Sequence, residues 1–190
     1  MEKIILQQLE ESLQIKRQFI ETQVDHIILA AEKLAACILG GNKILIFGNG
    51  GGAADAQHLA AEFVNRFRIE RPPLAAIALT TDTSILTSIG NDYRFDDIFS
   101  KQIEALGKEN DIAWGMSTSG NSKNVVQAIE VANEKQLYSI AFTGRGGALA
   151  TCAQLVFTAP SDDTARIQEA HITLGHILCD LVERLLFPQK

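Results

Sequence analysis

Five short runs, 44–47, 74–79, 112–116, 138–142 and 155–158, are apolar at successive positions rather than at every second one. A strand with one wet face alternates apolar and polar residues; a strand covered on both faces does not. Between these runs lie segments with the 3.6-residue period of amphipathic helices: 53–67, 82–89, 97–106, 124–135, a short piece near Ala148, and 165–187. Pro72-Pro73 fixes the entry to the second run. Parallel neighbours need a crossover, and here every crossover carries helical pattern. The expected fold class is α/β, a three-layer αβα sandwich with a five-stranded parallel sheet, preceded by N-terminal helices.

Residues 2–40 read as helix, with apolar or small side chains at Leu6, Leu9, Leu13, Ile20, Val24, Ile27, Ala31, Leu34 and Ile38 in steps of three and four, interrupted by Lys16. A break into two helices is expected around Glu21–Gln23, and Gly40-Gly41-Asn42 supplies C-cap chemistry. So long a stripe ahead of a self-contained α/β unit either covers that unit or packs against another subunit. No repeat or linker divides the chain, so residues 1–190 read as one domain with 1–40 as a helical extension.

The net charge of −6 argues against a broad nucleic-acid footprint, which needs a basic face to displace counterions. Cys37, Cys152 and Cys179 are odd in number, far apart and set in apolar patterns, which fits core positions in a reducing compartment better than a disulfide framework. No run approaches the ~20 apolar residues of a membrane span, and the N-terminus lacks a signal-peptide core. The expectation is a cytoplasmic protein that neither spans a membrane nor binds nucleic acid directly.

Three loops at strand ends stand out. After the first strand come glycines at 48, 50, 51 and 52; after the third, Ser117-Thr118-Ser119-Gly120-Asn121-Ser122; after the fourth, Thr143-Gly144-Arg145-Gly146-Gly147. In open parallel sheets ligands bind beyond the carboxyl ends of the strands, and all three loops lie on that edge. The glycine loop has no acid after the second strand to hold a ribose and no Gly-Lys-Ser/Thr, so it is neither a dinucleotide fingerprint nor a P-loop. Alone it could be a tight turn. The serine cluster adds weight, because one helix cap explains one hydroxyl and this segment carries four; hydroxyls at a helix start make a phosphate cradle. His58 and Glu62, at i and i+4, share one helix face. Gln168 and His176 lie on the last helix. Taken singly, these four also have bland readings as surface or core residues.

Together the segments GNGGGAADAQHLAAEFVNRF, IGNDYRFDDIFSKQIEALG, STSGNSKNVVQAI, TGRGG and ARIQEAHITLGHIL resemble, in order and over nearly the whole chain, the bacterial phosphoheptose isomerases, built on the sugar isomerase (SIS) domain. The resemblance implies an aldose–ketose isomerase interconverting D-sedoheptulose 7-phosphate and D-glycero-D-manno-heptose 7-phosphate through a metal-stabilised enediol, feeding ADP-heptose and lipopolysaccharide core synthesis. It implies a homotetramer with one Zn2+ per subunit on His58, Glu62, Gln168 and His176. Glu62 and His176 would be the acid–base pair. The sugar phosphate would be held by Asn49, Gly50, Gly51, Glu62, Asn91, Asp92, Ser117, Thr118, Ser119, Ser122 and Gln168. The family commonly has serine where Gly52 stands, which removes one hydroxyl. A relative that binds the replication initiator shares the fold and resembles this chain's C-terminal end, but its pattern loses the glutamate and the final histidine; it is the alternative. Because Gln168 and His176 stand eight residues apart, about 12 Å along a helix axis, completion of the site between subunits is a further expectation.

Overall fold

A computed structural model describes residues 1–188. Its elements are α1 (Glu2–Glu21), α2 (Val24–Leu39), β1 (Ile44–Gly48), α3 (Gly51–Val64), β2 (Ala76–Ala78), α4 (Thr83–Asp92), a 3-10 turn (Phe95–Asp97), α5 (Ser100–Leu106), β3 (Ile112–Ser117), α6 (Lys123–Glu134), β4 (Tyr138–Thr143), α7 (Leu149–Cys152), β5 (Leu155–Thr158) and α8 (Thr164–Leu186). The five strands pair in parallel in the order β2-β1-β3-β4-β5.

The uninterrupted apolar runs have a direct cause. Ile44 and Ile46 of β1, Trp114 of β3, Phe142 of β4 and Phe157 of β5 face one core, filled from the other side by α2, α3 and α8. Leu45, Phe47, Ala113 and Ala141, on the alternate positions, face a second core with α5, α6 and α7. The second strand is shorter than its apolar run, three residues instead of six, with Leu74 and Leu79 buried outside the ladder.

The N-terminal stripe splits as its break predicts. In α2, Ile27, Ala31 and Leu34 are buried against the sheet, while in α1 only Ser12 and Phe19 are. Ile4, Ile5, Leu6, Leu9 and Leu13 of α1 are all at least half exposed. The two explanations of the stripe thus divide between the helices: α2 covers the core, and α1 carries an apolar face beyond what the chain itself buries. α2 ends where expected. Gly41, at φ +75°, lets Asn42 N–H reach the carbonyl of Cys37 and its own N–H reach Ile38, satisfying two end carbonyls.

The strand order reverses between β1 and β3, whose register runs from Ile44↔Ile112 to Gly48↔Met116. The chain leaves β1 into α3 on one face and β3 into α6 on the other. A crevice opens at such a switch point. Among the described residues no helix is long and apolar enough to cross a membrane.

Candidate active site

The loops after β1 and β3 meet at this crevice. Asn49, Gly52, Ser117, Thr118, Ser122 and Gln168 line a cavity of about 90 Å3 there. Within the serine cluster, Ser117 Oγ lies 2.9 Å from Ser122 Oγ and 3.4 Å from Ser119 Oγ, and the N–H of Asn121 donates to Ser119 Oγ at 3.1 Å. Ser122 is the N-cap of α6, yet its side chain makes no capping bond. The first turn of α6 therefore keeps its positive end and N–H groups without a side-chain cap, as an anion requires.

The third loop supports the second. Gly144 N–H donates to Thr118 O, Leu149 N–H to Gly120 O, and Ala148 N–H to Asn121 Oδ1. His171, buried in α8 against the rings of Phe19 and Phe142, lies 3.0 Å from the carbonyl of Thr143 and lines the same cavity. Burial pushes its imidazole down to about 4, against the pull of that carbonyl.

The other candidate groups lie along α3 and α8, which pack side by side. Gln168 sits against Gly51, where any Cβ would overlap its amide. One residue before His176, a Cβ on Gly175 would fall 2.7 Å from Leu59 Cδ2, so glycine is what allows the two helices to close here. That approach brings His58 Nε2 to 2.8 Å from His176 Nε2, with Glu62 Oε1 3.6 Å from His58 Nε2. Burial and the neighbouring His58 push the His176 imidazole below its ordinary range, while Glu62 pulls it up.

His58, Glu62 and His176 are thus brought together. Gln168 stands about two turns away with the serine cavity. Asn91 and Asp92 stand exposed on α4, outside that cavity, Asn91 Nδ2 donating to Asp92 Oδ1.

As they stand, no three His, Cys, Asp or Glu among the described residues are gathered as ligands of one ion. Two imidazole nitrogens face each other with a carboxylate beside them, donors of the kind zinc takes, while the Gln168 amide lies about two turns away along α8 against Gly51.

Several residues near these groups carry no local sequence signal. Phe67 stacks on the His176 ring with centroids 5.5 Å apart. Its loop is fastened by a buried ion pair: Glu183 accepts the N–H groups of Phe67, Arg68 and Ile69 and the Arg71 Nε, the last at 3.0 Å. Burial pushes the Glu183 carboxyl up, but these four donors outweigh it and hold the group below its usual range. The same Arg71 donates to the carbonyls of Phe63 and Glu62 at the end of α3. Arg71 and Glu183 are 112 residues apart, so only the fold reveals them. Asp55, one turn before His58, did have a signal in its i, i+3 spacing. Its Oδ2 is buried without a partner, and burial raises its pKa to about 6 despite the opposing influence of His58.

The SIS-domain family profile matches residues 7–144. The chain is 56% identical over 179 residues to a phosphoheptose isomerase of Thermodesulfovibrio yellowstonii, covering 94% of this chain and 89% of that protein. Its fold is similar to a solved phosphoheptose isomerase from Neisseria gonorrhoeae (TM-score 0.90, 45% identity, 96% of this chain and 98% of that one). It is similar as well to one from Francisella tularensis (TM-score 0.92, 40% identity, 96% and 97%).

Proposed function

The chain belongs to the phosphoheptose isomerases of the SIS-domain family, and from that membership we propose that it interconverts D-sedoheptulose 7-phosphate and D-glycero-D-manno-heptose 7-phosphate. The observation that carries this reading is the pairing of two unlike half-sites on one sheet edge. One is an uncapped helix start ringed with hydroxyls; the other is the convergence of His58 and His176 at 2.8 Å with Glu62 beside them. The first suits a phosphate and the second suits proton transfer.

Moving a proton between C1 and C2 passes through an enediol and needs a base at carbon and a proton carrier at oxygen. Glu62 takes the first role and His176 the second. Phe67 limits how the His176 ring can turn, and Arg71 holds the helix end that carries Glu62. Ser117, Thr118, Ser119 and Ser122 take the phosphate. Asn49, Gly50, Gly51, Glu62, Asn91, Asp92 and Gln168 orient the sugar. His58, Glu62, Gln168 and His176 would hold one Zn2+ per subunit. When bound, the ion supplies Lewis-acid stabilisation of charge developing on the sugar oxygens.

The working form is proposed to be a cytoplasmic homotetramer whose subunits cover the apolar face of α1 and complete the site near α4. Both features support this: α1 leaves Ile5 68% and Leu6 57% exposed, and α4 buries no residue. The product would feed ADP-heptose for the lipopolysaccharide core. The similar proteins are named isomerases, so the initiator-binding alternative gains no support from them.

The test is turnover of sedoheptulose 7-phosphate by the purified chain, before and after chelation and after added zinc. An aldoheptose 7-phosphate should form, vanish with chelation and return with zinc. No turnover overturns the reaction, and full activity in a metal-free sample overturns the zinc assignment. A fully active monomer by light scattering overturns the tetramer.

A further inference from the structure

Asn124 lies at the second position of α6 and is 3% exposed. Its carboxamide forms a closed pair with that of Asn49: Asn49 Nδ2 donates to Asn124 Oδ1 at 2.8 Å, and Asn124 Nδ2 donates to Asn49 Oδ1 at 3.0 Å. Two amides close such a ring in only one relative orientation. Flipping either one sets N–H against N–H and oxygen against oxygen, a mismatch that burial makes expensive.

The two residues differ in what else they reach. Asn49 lines the cavity with Ser117, Ser122 and Gln168, and Asn124 does not. Each amide spends one N–H and one oxygen position on the pair, so Asn49 keeps a second donor and acceptor position free. Asn49 is also the first residue beyond β1, and its carbonyl accepts the N–H of Gly52 in the turn that opens α3. Asn124 is joined through Ser122 to the hydroxyl cluster. The amide pair therefore straddles the switch point between β1 and β3 and ties one wall of the crevice to the other.

We propose that Asn124 is a positioning residue for substrate binding: it never touches the sugar phosphate, but sets the flip and place of the Asn49 amide and holds the first loop at a fixed distance from the phosphate cradle. The inference rests on the function proposed above and adds a residue to it. A buried amide that served only to satisfy α6 would bond within its own helix. This one spends both bonds on a residue 75 positions away that faces the cavity.

Asn124→Asp keeps the size of the side chain but replaces its donor by a second oxygen facing Asn49 Oδ1. The dissociation constant for sedoheptulose 7-phosphate, by calorimetry with the assembled protein, should rise about tenfold, the effect of losing one good hydrogen bond. The kcat should stay within about threefold. Asn124→Ala, which brings in no charge, should weaken binding in the same direction and serves if the aspartate variant does not fold. The deciding measurement is a cycle with Asn49→Ala. If Asn124 acts through Asn49, the double variant binds no more weakly than Asn49→Ala alone. Binding unchanged in both Asn124 variants, or losses that multiply in the double variant, overturns the positioning role. A wild-type chain that neither binds nor turns over the heptose phosphate overturns the proposed function and this inference with it, so the wild-type control separates the two failures.

Discussion

The histidine corner between α3 and α8 and the helix α4 contribute to the same proposed site, yet they are built in opposite ways. At the corner, His176 and the backbone around Glu62 are held by side chains from elsewhere in the fold. Phe67 stacks on His176, Glu183 gathers three backbone N–H groups and an arginine, and Arg71 reaches back to the carbonyl of Glu62. α4, which carries Asn91 and Asp92, buries no residue at all; it is held by the Asp82 cap on Ile85 N–H and by Leu86 and Ile89 leaning on the second core. Proton transfer, the role proposed for this corner, needs groups placed to within a fraction of an ångström, and the buried Arg71–Glu183 pair stands beside it. α4, the arm proposed to bind the sugar, has no such backing within the chain.

The sharpest way to break this contrast is at Glu183. Glu183→Ala strands Arg71 in the interior and frees the 67–69 loop; breaking a buried pair in this way costs ~3–5 kcal/mol. Thermal unfolding should shift down by about 10 °C, since each kcal/mol is worth roughly 2–4 °C in a domain of this size. A shift of only a degree or two would mean that the pair is not what fastens the corner.

A second test uses pH on the firmly built side. His171 sits between uncharged neighbours, the rings of Phe19 and Phe142 and the carbonyl of Thr143, with its folded pKa lowered to about 4. The unfolded chain takes up this proton near pH 6.5 and the folded chain does not until about pH 4. The contribution is therefore full above pH 6.5 and is lost as pH falls toward 4, by roughly 3 kcal/mol in all. Denaturant unfolding at several pH values should show that slope, and His171→Gln should flatten it. A wild-type slope unchanged in the variant would assign the titration elsewhere.

The smallest expected effect on stability lies on α4. Asn91→Ala and Asp92→Ala should leave the unfolding free energy within about 0.5 kcal/mol, as exposed substitutions do. If these side chains hold the sugar, kcat/KM should nevertheless fall about tenfold. A large loss of stability with either variant would show that α4 is integral to the fold, and the contrast with the corner would fail.

The layers, the strand runs and the helix break at 21–23 were legible because both-face burial and helical period leave local marks in sequence. The end of β2 was not, because Leu74 and Leu79 are as buried as strand residues while lying outside the ladder. At the site, His58 with Glu62 and the four hydroxyls could be read from spacing within a single element. The meeting of His58 with His176 depends on Gly175 admitting Leu59, a contact between helices that no local pattern encodes. Arg71, Glu183 and Asn124 were invisible for the same reason: each is an ordinary polar residue until its distant partner is known. Asn49 was singled out for its loop, but nothing in the loop points to the amide 75 residues on that orients it.

α8 is the last element of the fold, and it packs on α1, α2 and α3, the first three helices. During synthesis from the N-terminus, the strands and the hydroxyl cluster are complete once residue 158 has emerged, whereas the face of the sheet covered by α2 and α3 still lacks α8. His176 and Glu183 arrive only with that final helix. The nascent chain thus holds the hydroxyl cluster before His58 has His176 to meet. The meeting of His58 with His176 is deferred until α8 has closed on α2 and α3, so the 2.8 Å contact between their rings marks the docking of that helix.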